Sequence, residues 1–463
     1  LGADPELGRE VLKVLVTGQA TKAALTRAEM EARLEEAGAL RCDDRRDLAL
    51  LDATLLGLQR VRLLRSFERE GAAYYELTHD TLAKEVATWI GEEEMQTRVA
   101  REILRRALDN WRHAELLIPR EALALIHACC EDLRRLSVEE LELLFRSALG
   151  VGYEAVYWAE RAREAAVDAD AIAREGLESE SFRTRVAAVE ALGQLGERFA
   201  NYLIGMLDDD YPQVRAAAIN ALERLRPDGA WREHLVYECY VPAGPFIMGE
   251  GDEAHEVSLD AYYIGKYPVT NAEYKRYMDD LGRAFTIPEG KADYPVVSIS
   301  WYDARDYAVW AGMRLLTEAE WEKAASWELP LSSPPPGGIE GGRKRTYPWG
   351  DVFDAQKCNT NEAGPGMTTP VGKYSPEGDS PYGCADMAGN VWEWTSSLHK
   401  PYPYRADDGR EDMGASGSRV VRGGSFNGIH TYARVTTRNG DVPHVRYKRD
   451  GVGVGGGRGR ARR

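Results

Sequence analysis

Residues 386–394 read DMAGNVWEW and residues 422–427 read RGGSFN, so both stretches combine Gly turns with large aromatic side chains. From about Tyr237 onward the chain has the same texture, with short β-like runs, many Trp and Tyr residues, and turns rich in Gly and Pro. A domain with so little regular structure needs large aromatic side chains to build its core. The sequence therefore predicts an irregular domain that begins near Tyr237.

Capping boxes predict where three helices begin in this domain. They start at Thr270, Ser300 and Thr317, and each has an acidic residue three positions later. The hydroxyl can accept a hydrogen bond from a free backbone N–H, while the acid lies at the positive end of the helix. The remainder of the domain is expected to be strands and loops.

The DMAGNVWEW and RGGSFN stretches belong to a series of seven motifs that follow one another in order across the C-terminal half. They lie at residues 241–249, 267–271, 295–301, 314–322, 347–350, 386–394 and 422–427. Together they resemble the formylglycine-generating enzyme, or sulfatase-modifying factor, family over nearly half of the chain. That family has an irregular C-type-lectin-like fold, so the resemblance implies this architecture for residues 237–455.

The resemblance also bears on activity. Family members that oxidise a substrate cysteine use two cysteines after the RGGS motif, which bind copper and the substrate thiol. The equivalent positions here are Gly428 and Ala433, and neither has a nucleophilic or metal-binding side chain. Cys358 and Cys384 lie elsewhere in the motif order and are expected to be small buried fillers. We therefore expect no copper and a domain that is not an enzyme.

A structural calcium ion is the second implication of the resemblance. It maps onto the side chains of Asp386 and Glu393 and the carbonyl groups of Gly389 and Val391. Oxygen ligands on a tight Gly-containing turn suit Ca²⁺. The alternative is a loop held by hydrogen bonds without a metal.

The stretch from Arg422 to Asp450 alternates a structural frame with residues of no consistent chemistry. The frame residues are Arg422, Gly423, Gly424, Ser425, Arg434, Arg438, Pro443 and Arg446. This pattern resembles the variable proteins of diversity-generating retroelements, which present diversified positions on a lectin-like frame. The resemblance implies a ligand-binding face formed by Asn427, Gly428, Ile429, Thr431, Tyr432, Asn439, Gly440, Asp441, Val445, Tyr447 and Lys448. An ordinary lectin-like loop region is the alternative.

Two helical regions precede this domain. Residues 1–92 combine short helices with a predicted hairpin around Gly71, which is typical of a winged-helix arm or of a small helical domain. The stretch 75–83 resembles the end of that arm in STAND-type signalling NTPases. No GxxxxGK[ST] phosphate loop occurs in the chain, so we expect no ATP hydrolysis from it.

An internal repeat lies in residues 93–228. Residues 184–195 realign on residues 214–225, with small residues where helices approach closely and Leu where they fill space. This repeat resembles short HEAT-type repeats, in which each helix pair packs against the next. A single ordinary helical hairpin is the alternative.

Composition and charge limit the remaining possibilities. The chain has 463 residues, 59 basic and 75 acidic side chains, and a net charge of -16. An acidic surface repels polyanions, which argues against nucleic acid as a partner, although residues 456–463 form a basic Gly/Arg tail. Six cysteines without metal or disulfide spacing, no secretory signal and no apolar run long enough to span a bilayer predict a cytoplasmic protein without membrane association.

The fold class predicted for the whole chain is multidomain α+β, with a winged-helix-like arm, HEAT-like repeats and a C-type-lectin-like domain. Its hypothetical function is that of a non-catalytic sensor module, in which the variable face binds a protein or another macromolecule and an upstream STAND NTPase reads the occupancy. The alternatives are a sulfatase-modifying type of oxidoreductase and a winged-helix protein that binds nucleic acid.

Overall fold

The computed structural model describes residues 4–69, 71–133, 136–328, 342–447, 452–454 and 456–458. The chain divides into two compact units, Leu1–Leu195 and Gly196–Arg463.

The N-terminal unit begins with helices around a small sheet. The helices are α1 (Pro5–Val14), α2 (Arg27–Glu36), α3 (Arg45–Arg60) and α4 (Asp80–Ala87), and the strands are β1 (Leu25–Thr26), β2 (Leu64–Arg69) and β3 (Ala72–Leu77). The strands β2 and β3 form the predicted antiparallel hairpin, with Leu64 opposite Leu77. Glu70, in the predicted turn, lies outside the described residues. The assignment of this region to the winged-helix class stays a prediction.

Six further helices complete this unit. They are α5 (Glu92–Ala114), α6 (Arg120–Ala128), α7 (Val138–Val151), α8 (Ala155–Glu164), α9 (Ala169–Leu177) and α10 (Phe182–Leu195). Each helix buries one apolar stripe, as Leu143 and Leu144 do in α7 and Ala188 and Leu192 do in α10. The small residues of α10 allow neighbouring helices to approach closely.

The C-terminal unit begins with helices α11 (Ala200–Gly205) and α12 (Pro212–Leu225). Both ends of α12 lie 30 positions after the corresponding ends of α10, as the internal repeat predicts. Three further helices follow: α13 (Asn271–Asp280), α14 (Trp301–Trp310) and α15 (Glu318–Ser326). Each of these three begins with a complete capping box, at Thr270, Ser300 and Thr317 respectively, which confirms that part of the prediction.

Short strands make up the rest of this unit. They are β4 (Glu238–Val241), β5 (Gly244–Met248), β6 (His255–Leu259), β7 (Tyr262–Gly265), β8 (Arg314–Leu315), β9 (Trp327–Glu328), β10 (Arg343–Lys344), β11 (Trp392–Leu398), β12 (Arg419–Arg422), β13 (Arg438–Asp441), β14 (Val452–Val454) and β15 (Gly456–Arg458). Two four-stranded sheets have the orders β13-β12-β11-β14 and β4-β7-β15-β8, and β5 pairs with β6. Trp301, Trp321 and Trp394 are almost fully buried, which confirms that aromatic side chains build the core.

The end of the chain differs from the predicted domain limits. The sequence predicts a basic tail over residues 456–463, whereas the structure places residues 456–458 in β15, between β7 and β8. Strand pairing uses backbone groups alone, so a Gly-rich segment can complete a sheet without bulky side chains. Residues 459–463 lie outside the described residues.

Within the described ranges, no helix has both the length and the apolar character that a membrane crossing requires. The cytoplasmic location stays a prediction.

Candidate functional site

A buried group of charged side chains supports the end of strand β12. Arg422 is fully buried, contacts Glu322, and has Nη1 3.8 Å from Glu318 Oε1. Arg438 donates two hydrogen bonds of 2.7 Å to the Glu318 carboxylate, and Lys344 Nζ lies 2.6 Å from Glu322 Oε1. Burial alone would raise the pKa of Glu322, but Arg422 and Lys344 outweigh it and hold that pKa below its ordinary value. This network fixes the point from which the following loop leaves the sheet.

Residues 425–432, called here the recognition loop, follow two glycines in the left-handed region. Gly424 has φ 75°, and a Cβ atom there would lie 2.7 Å from the Tyr432 carbonyl oxygen, so this close approach requires glycine. The amide of Phe426 donates to Asn390 O at 3.0 Å, and the amide of Asn361 donates to Gly428 O at 2.9 Å. Backbone hydrogen bonds therefore hold the loop on the domain.

Four of the five exposed residues of the recognition loop belong to the predicted binding face, and the fifth is His430. Asn427, Ile429, Thr431 and Tyr432 are exposed, and Gly428 is half-buried. Ile429 and Tyr432 retain 46% and 50% of their accessible surface, so this loop presents two apolar side chains to solvent. The structure thus brings these predicted residues together on one loop.

The other predicted binding residues form a second group at the sheet edge. Asn439, Gly440 and Asp441 lie on β13, and the Tyr447 hydroxyl donates to Asp441 Oδ1 at 2.9 Å. Val445 lies in the turn between them and is half-buried. Lys448 lies outside the described residues.

Gly428 and Ala433, at the two positions of the family's cysteine pair, present no metal-binding atom. Ala433 is buried and packs in a cluster with Tyr347, Cys358 and Ala388. Burial raises the pKa of the Cys358 thiol to about 12, which keeps this thiol protonated and inert. Cys384 is also buried, and both cysteines are therefore fillers, as predicted. This donor set does not fit copper.

A histidine and a carboxylate meet beside the recognition loop. Glu362 Oε1 accepts hydrogen bonds from the backbone amide of His430 at 2.6 Å and from its Nδ1 atom at 2.9 Å. Partial burial acts to raise the pKa of Glu362, but the hydrogen bonds from His430 and Thr360 outweigh it, so this pKa lies below its ordinary value. The Phe353 ring centre lies 5.2 Å from that of His430.

Sequence reasoning missed this pair because its members are 68 residues apart. The available signal was His430 itself, which is the one histidine between Ser425 and Ala433. Its Nε2 atom makes no hydrogen bond to the described part of the chain. A histidine held through Nδ1 by a carboxylate presents Nε2 as a proton acceptor.

The predicted calcium turn has a shape and a charge that suit a cation. Asp386, Gly389 and Asn390 adopt φ values of 56°, 77° and 61°, which bend the backbone tightly. Asp386 and Glu393 are buried, and neither forms an ion pair with a described residue. Burial raises the pKa of Glu393 to about 8 and that of Asp386 to about 6. Asp386 Oδ2 accepts a hydrogen bond from the Gly372 amide at 2.6 Å, and Glu393 Oε2 accepts one from Trp321 Nε1 at 2.9 Å. Carboxylate oxygens without a cationic partner are of the ligand type that Ca²⁺ prefers.

Comparison with known proteins identifies the family. The Sulfatase-modifying factor enzyme 1-like domain matches residues 230–454, and HEAT repeats match residues 122–223, which confirms the predicted helical repeats. Hercynine oxygenase of Mycolicibacterium thermoresistibile is 32% identical over 322 residues, which cover 56% of this chain and 70% of that protein. Formylglycine-generating enzyme of Streptomyces coelicolor is 39% identical over 44% of this chain and 83% of its own length.

The chain therefore belongs to the sulfatase-modifying factor, or formylglycine-generating enzyme, family. Among solved structures, Treponema denticola variable protein 1 matches 48% of this chain and 94% of its own, with 22% identity and a TM-score of 0.37.

The expectation that the chain is not an enzyme is wrong. Relatives that are named as enzymes are 32% and 39% identical to it over about half of its length. The absence of thiols at Gly428 and Ala433 argues against the copper-dependent oxidation of a substrate cysteine only. It does not exclude another reaction on the same fold. Other side chains on the same fold, such as His430, remain available for chemistry.

Proposed function

We propose that the C-terminal domain is an enzyme that binds its substrate at the recognition loop and uses His430 as a proton acceptor. The observation that carries this proposal is the hydrogen bond between His430 Nδ1 and Glu362, which orients the ring and leaves Nε2 free. An oriented imidazole with a carboxylate behind it and a free nitrogen facing the substrate is suited to general-base catalysis.

The surroundings of His430 support substrate binding. Ile429 and Tyr432 expose apolar surface on the same loop, and Phe353 packs beside the imidazole. Rigid aromatic side chains on a fixed frame bind a ligand at a low cost in conformational entropy. The substrate would thus be held by apolar contacts while Nε2 accepts a proton from an O–H, N–H or S–H group.

The names of the relatives supply the substrates to test first. Oxygen uptake and product formation would be measured with hercynine and with a cysteine-containing peptide, each at saturating metal. We expect turnover of one of them, and His430→Ala should lower kcat at least about a hundredfold. The matched control is His444→Ala, since His444 is exposed and lies outside the recognition loop. Equal rates for wild type and His430→Ala would contradict the proposal.

A second proposal rests on the difference in exposure among residues 422–433, where buried positions flank exposed ones. Arg422, Ser425 and Ala433 are buried, whereas Asn427 and Tyr432 are exposed. We propose that these exposed positions are diversified and bind a macromolecular ligand, and that the N-terminal unit connects them to a STAND-type signalling NTPase. Sequencing of the neighbouring DNA tests this: it should contain a reverse transcriptase gene, an adenine-substituted repeat of the 3′ end, and a phosphate-loop motif upstream. Their absence would remove the proposal.

We further propose that Ca²⁺ binds at the turn that contains Asp386 and Glu393. The side chains of these two residues and the carbonyl groups of Gly389 and Val391 would hold it. Calcium would there neutralise two buried carboxylates and stabilise the turn next to β11, without taking part in a reaction step.

A further inference from the structure

A cavity of about 420 Å³ lies within the C-terminal unit, where residues of α12, β4 and α13 meet. None of its lining residues belongs to the recognition loop or to the calcium turn. Cavities of this volume are large enough for a small ligand.

The feature that points to a ligand is the carboxylate of Glu238, which lines this cavity. Glu238 is 4% exposed, and its Oε1 atom accepts a hydrogen bond of 3.0 Å from Arg215 Nε. Its Oε2 atom is buried and has no hydrogen-bond partner within the described residues. A buried carboxylate oxygen without a donor is costly, and a ligand with an N–H group would remove that cost.

Arg215 does not supply the missing donor, because its only hydrogen bond to Glu238 runs from Nε to Oε1. Its Nη1 atom donates to Asp209 O at 2.8 Å, and its Nη2 atom lies 3.8 Å from Glu273 Oε1. Its guanidinium also stacks over the Tyr237 ring at 4.4 Å. The second oxygen of Glu238 is therefore left for a group from outside the chain.

The charge of the cavity wall favours a cation. Four carboxylates (Asp210, Glu238, Glu273 and Asp293) line it against two guanidinium groups (Arg215 and Arg276), which leaves a formal excess of two negative charges. Arg276 lies 3.3 Å from Asp210, so it too is paired.

Helix α13 begins at this cavity but does not offer an anion site. The amide of Asn271 donates to Tyr294 O at 2.8 Å, and the amide of Ala272 donates to Ala292 O at 2.9 Å. The N–H groups that would attract an anion are therefore occupied. The acidic side chains of the wall thus determine the charge of the ligand that the cavity prefers.

The rings of Tyr267 and Tyr307 also line the cavity. Aromatic faces attract cations through their quadrupole. We propose that this cavity binds a small organic cation that carries N–H donors, such as a primary amine or a guanidinium compound, with one donor on Glu238 Oε2.

Agmatine, which carries both groups, is the probe for this proposal, and calorimetric titration of the full chain is the measurement. We expect saturable 1:1 binding to the wild type. Glu238→Gln should weaken it at least about tenfold, because the amide reduces the charge and offers a donor where the ligand needs an acceptor. Tetramethylammonium, a cation without N–H donors, should bind at least about tenfold more weakly than agmatine.

A second variant covers the case that Glu238→Gln fails to fold after losing the partner of Arg215. Asp293 is exposed, so Asp293→Lys is expected to fold and to weaken agmatine binding through charge reversal. Glu289→Gln, an exposed carboxylate outside the cavity, is the control and should bind like the wild type. No saturable binding at about 10 mM agmatine, equal affinity in the cavity variants and the control, or equal affinity for the two cations would each overturn the proposal.

Discussion

Arg422 shows how single residues support the candidate site. Its side chain is fully buried and its charge is balanced by Glu322 and Glu318, which are equally buried. An ion pair of this kind adds little when compared with apolar residues, but the loss of one partner leaves a charge in the interior. The recognition loop begins three residues after Arg422, so this balance of charges also supports the start of the loop.

Arg422→Met is therefore expected to lower the free energy of unfolding by about 3–5 kcal/mol, because Glu322 loses its main cationic partner. Urea denaturation followed by tryptophan fluorescence measures this. The control Arg446→Met removes an exposed ion pair with Asp303 and should cost no more than about 1 kcal/mol. If both variants lose a similar amount of free energy of unfolding, the buried ion pairs of Arg422 do not stabilise the domain more than an exposed pair does.

Lys323 provides a pH-dependent prediction. It is almost fully buried, and its Nζ atom donates to Pro242 O at 2.8 Å and to Gly244 O at 2.9 Å. Burial lowers the pKa of Lys323 to about 8, below its ordinary value of 10.5. Between these two values the unfolded chain binds more protons than the folded chain, so the contribution of this group to stability rises as pH increases.

We therefore subtract the free energy of unfolding of Lys323→Met from that of the wild type. This difference should increase by about 1–2 kcal/mol between pH 7 and pH 9.5. Parallel denaturation series at several pH values measure the difference. A constant or falling difference over this range would show that Lys323 keeps an ordinary pKa in the folded protein.

Among the elements, the helices of the C-terminal unit depend on their capping residues. Ser300 is the N-cap of helix α14: its hydroxyl accepts from the Asp303 amide at 3.2 Å, while Asp303 Oδ2 accepts from the Ser300 amide at 2.7 Å. Most of the surrounding chain is irregular, so these reciprocal bonds fix where α14 starts and thereby position Trp301 in the core.

Ser300→Ala should lower the free energy of unfolding by about 0.5–2 kcal/mol, because an amide at the helix start loses its acceptor. Chemical denaturation measures this, with Ser416→Ala as the control, since Ser416 is exposed and lies outside the helices. If the two variants are equally stable, the cap does not determine the start of α14.

At the scale of the whole molecule, the C-terminal unit combines two four-stranded sheets, three capped helices and long irregular segments. Ordering an irregular segment costs conformational entropy, and such a segment forms fewer backbone hydrogen bonds than a helix to offset that cost. A cation bound at a tight turn adds ligand bonds there and can therefore stabilise the folded state. The turn that contains Asp386 and Glu393 is where this contribution is expected.

Chelation of calcium should therefore lower the melting temperature of the full chain, and added calcium should restore it. At a hundred times the dissociation constant, bound Ca²⁺ stabilises the folded state by about 2.7 kcal/mol. Calorimetry with and without EDTA measures the shift, which Glu393→Gln should abolish and the exposed control Glu377→Gln should retain. An identical shift in Glu393→Gln would place the calcium elsewhere.

Local patterns determined much of this protein in advance: the α+β class, the hairpin around Gly71, the capping boxes at Thr270, Ser300 and Thr317, and the repeat shared by α10 and α12. These features can be predicted from the sequence because capping, turn formation and apolar periodicity depend on residues that are only a few positions apart. Pairs that are distant in sequence were decided by tertiary structure alone. Glu362 meets His430 across 68 residues, and Glu322 meets Arg422 across 100. The cavity beside Glu238 also exists only once α12 packs on the strands, because a side chain acquires its partners, burial and charge environment from packing that no local pattern encodes.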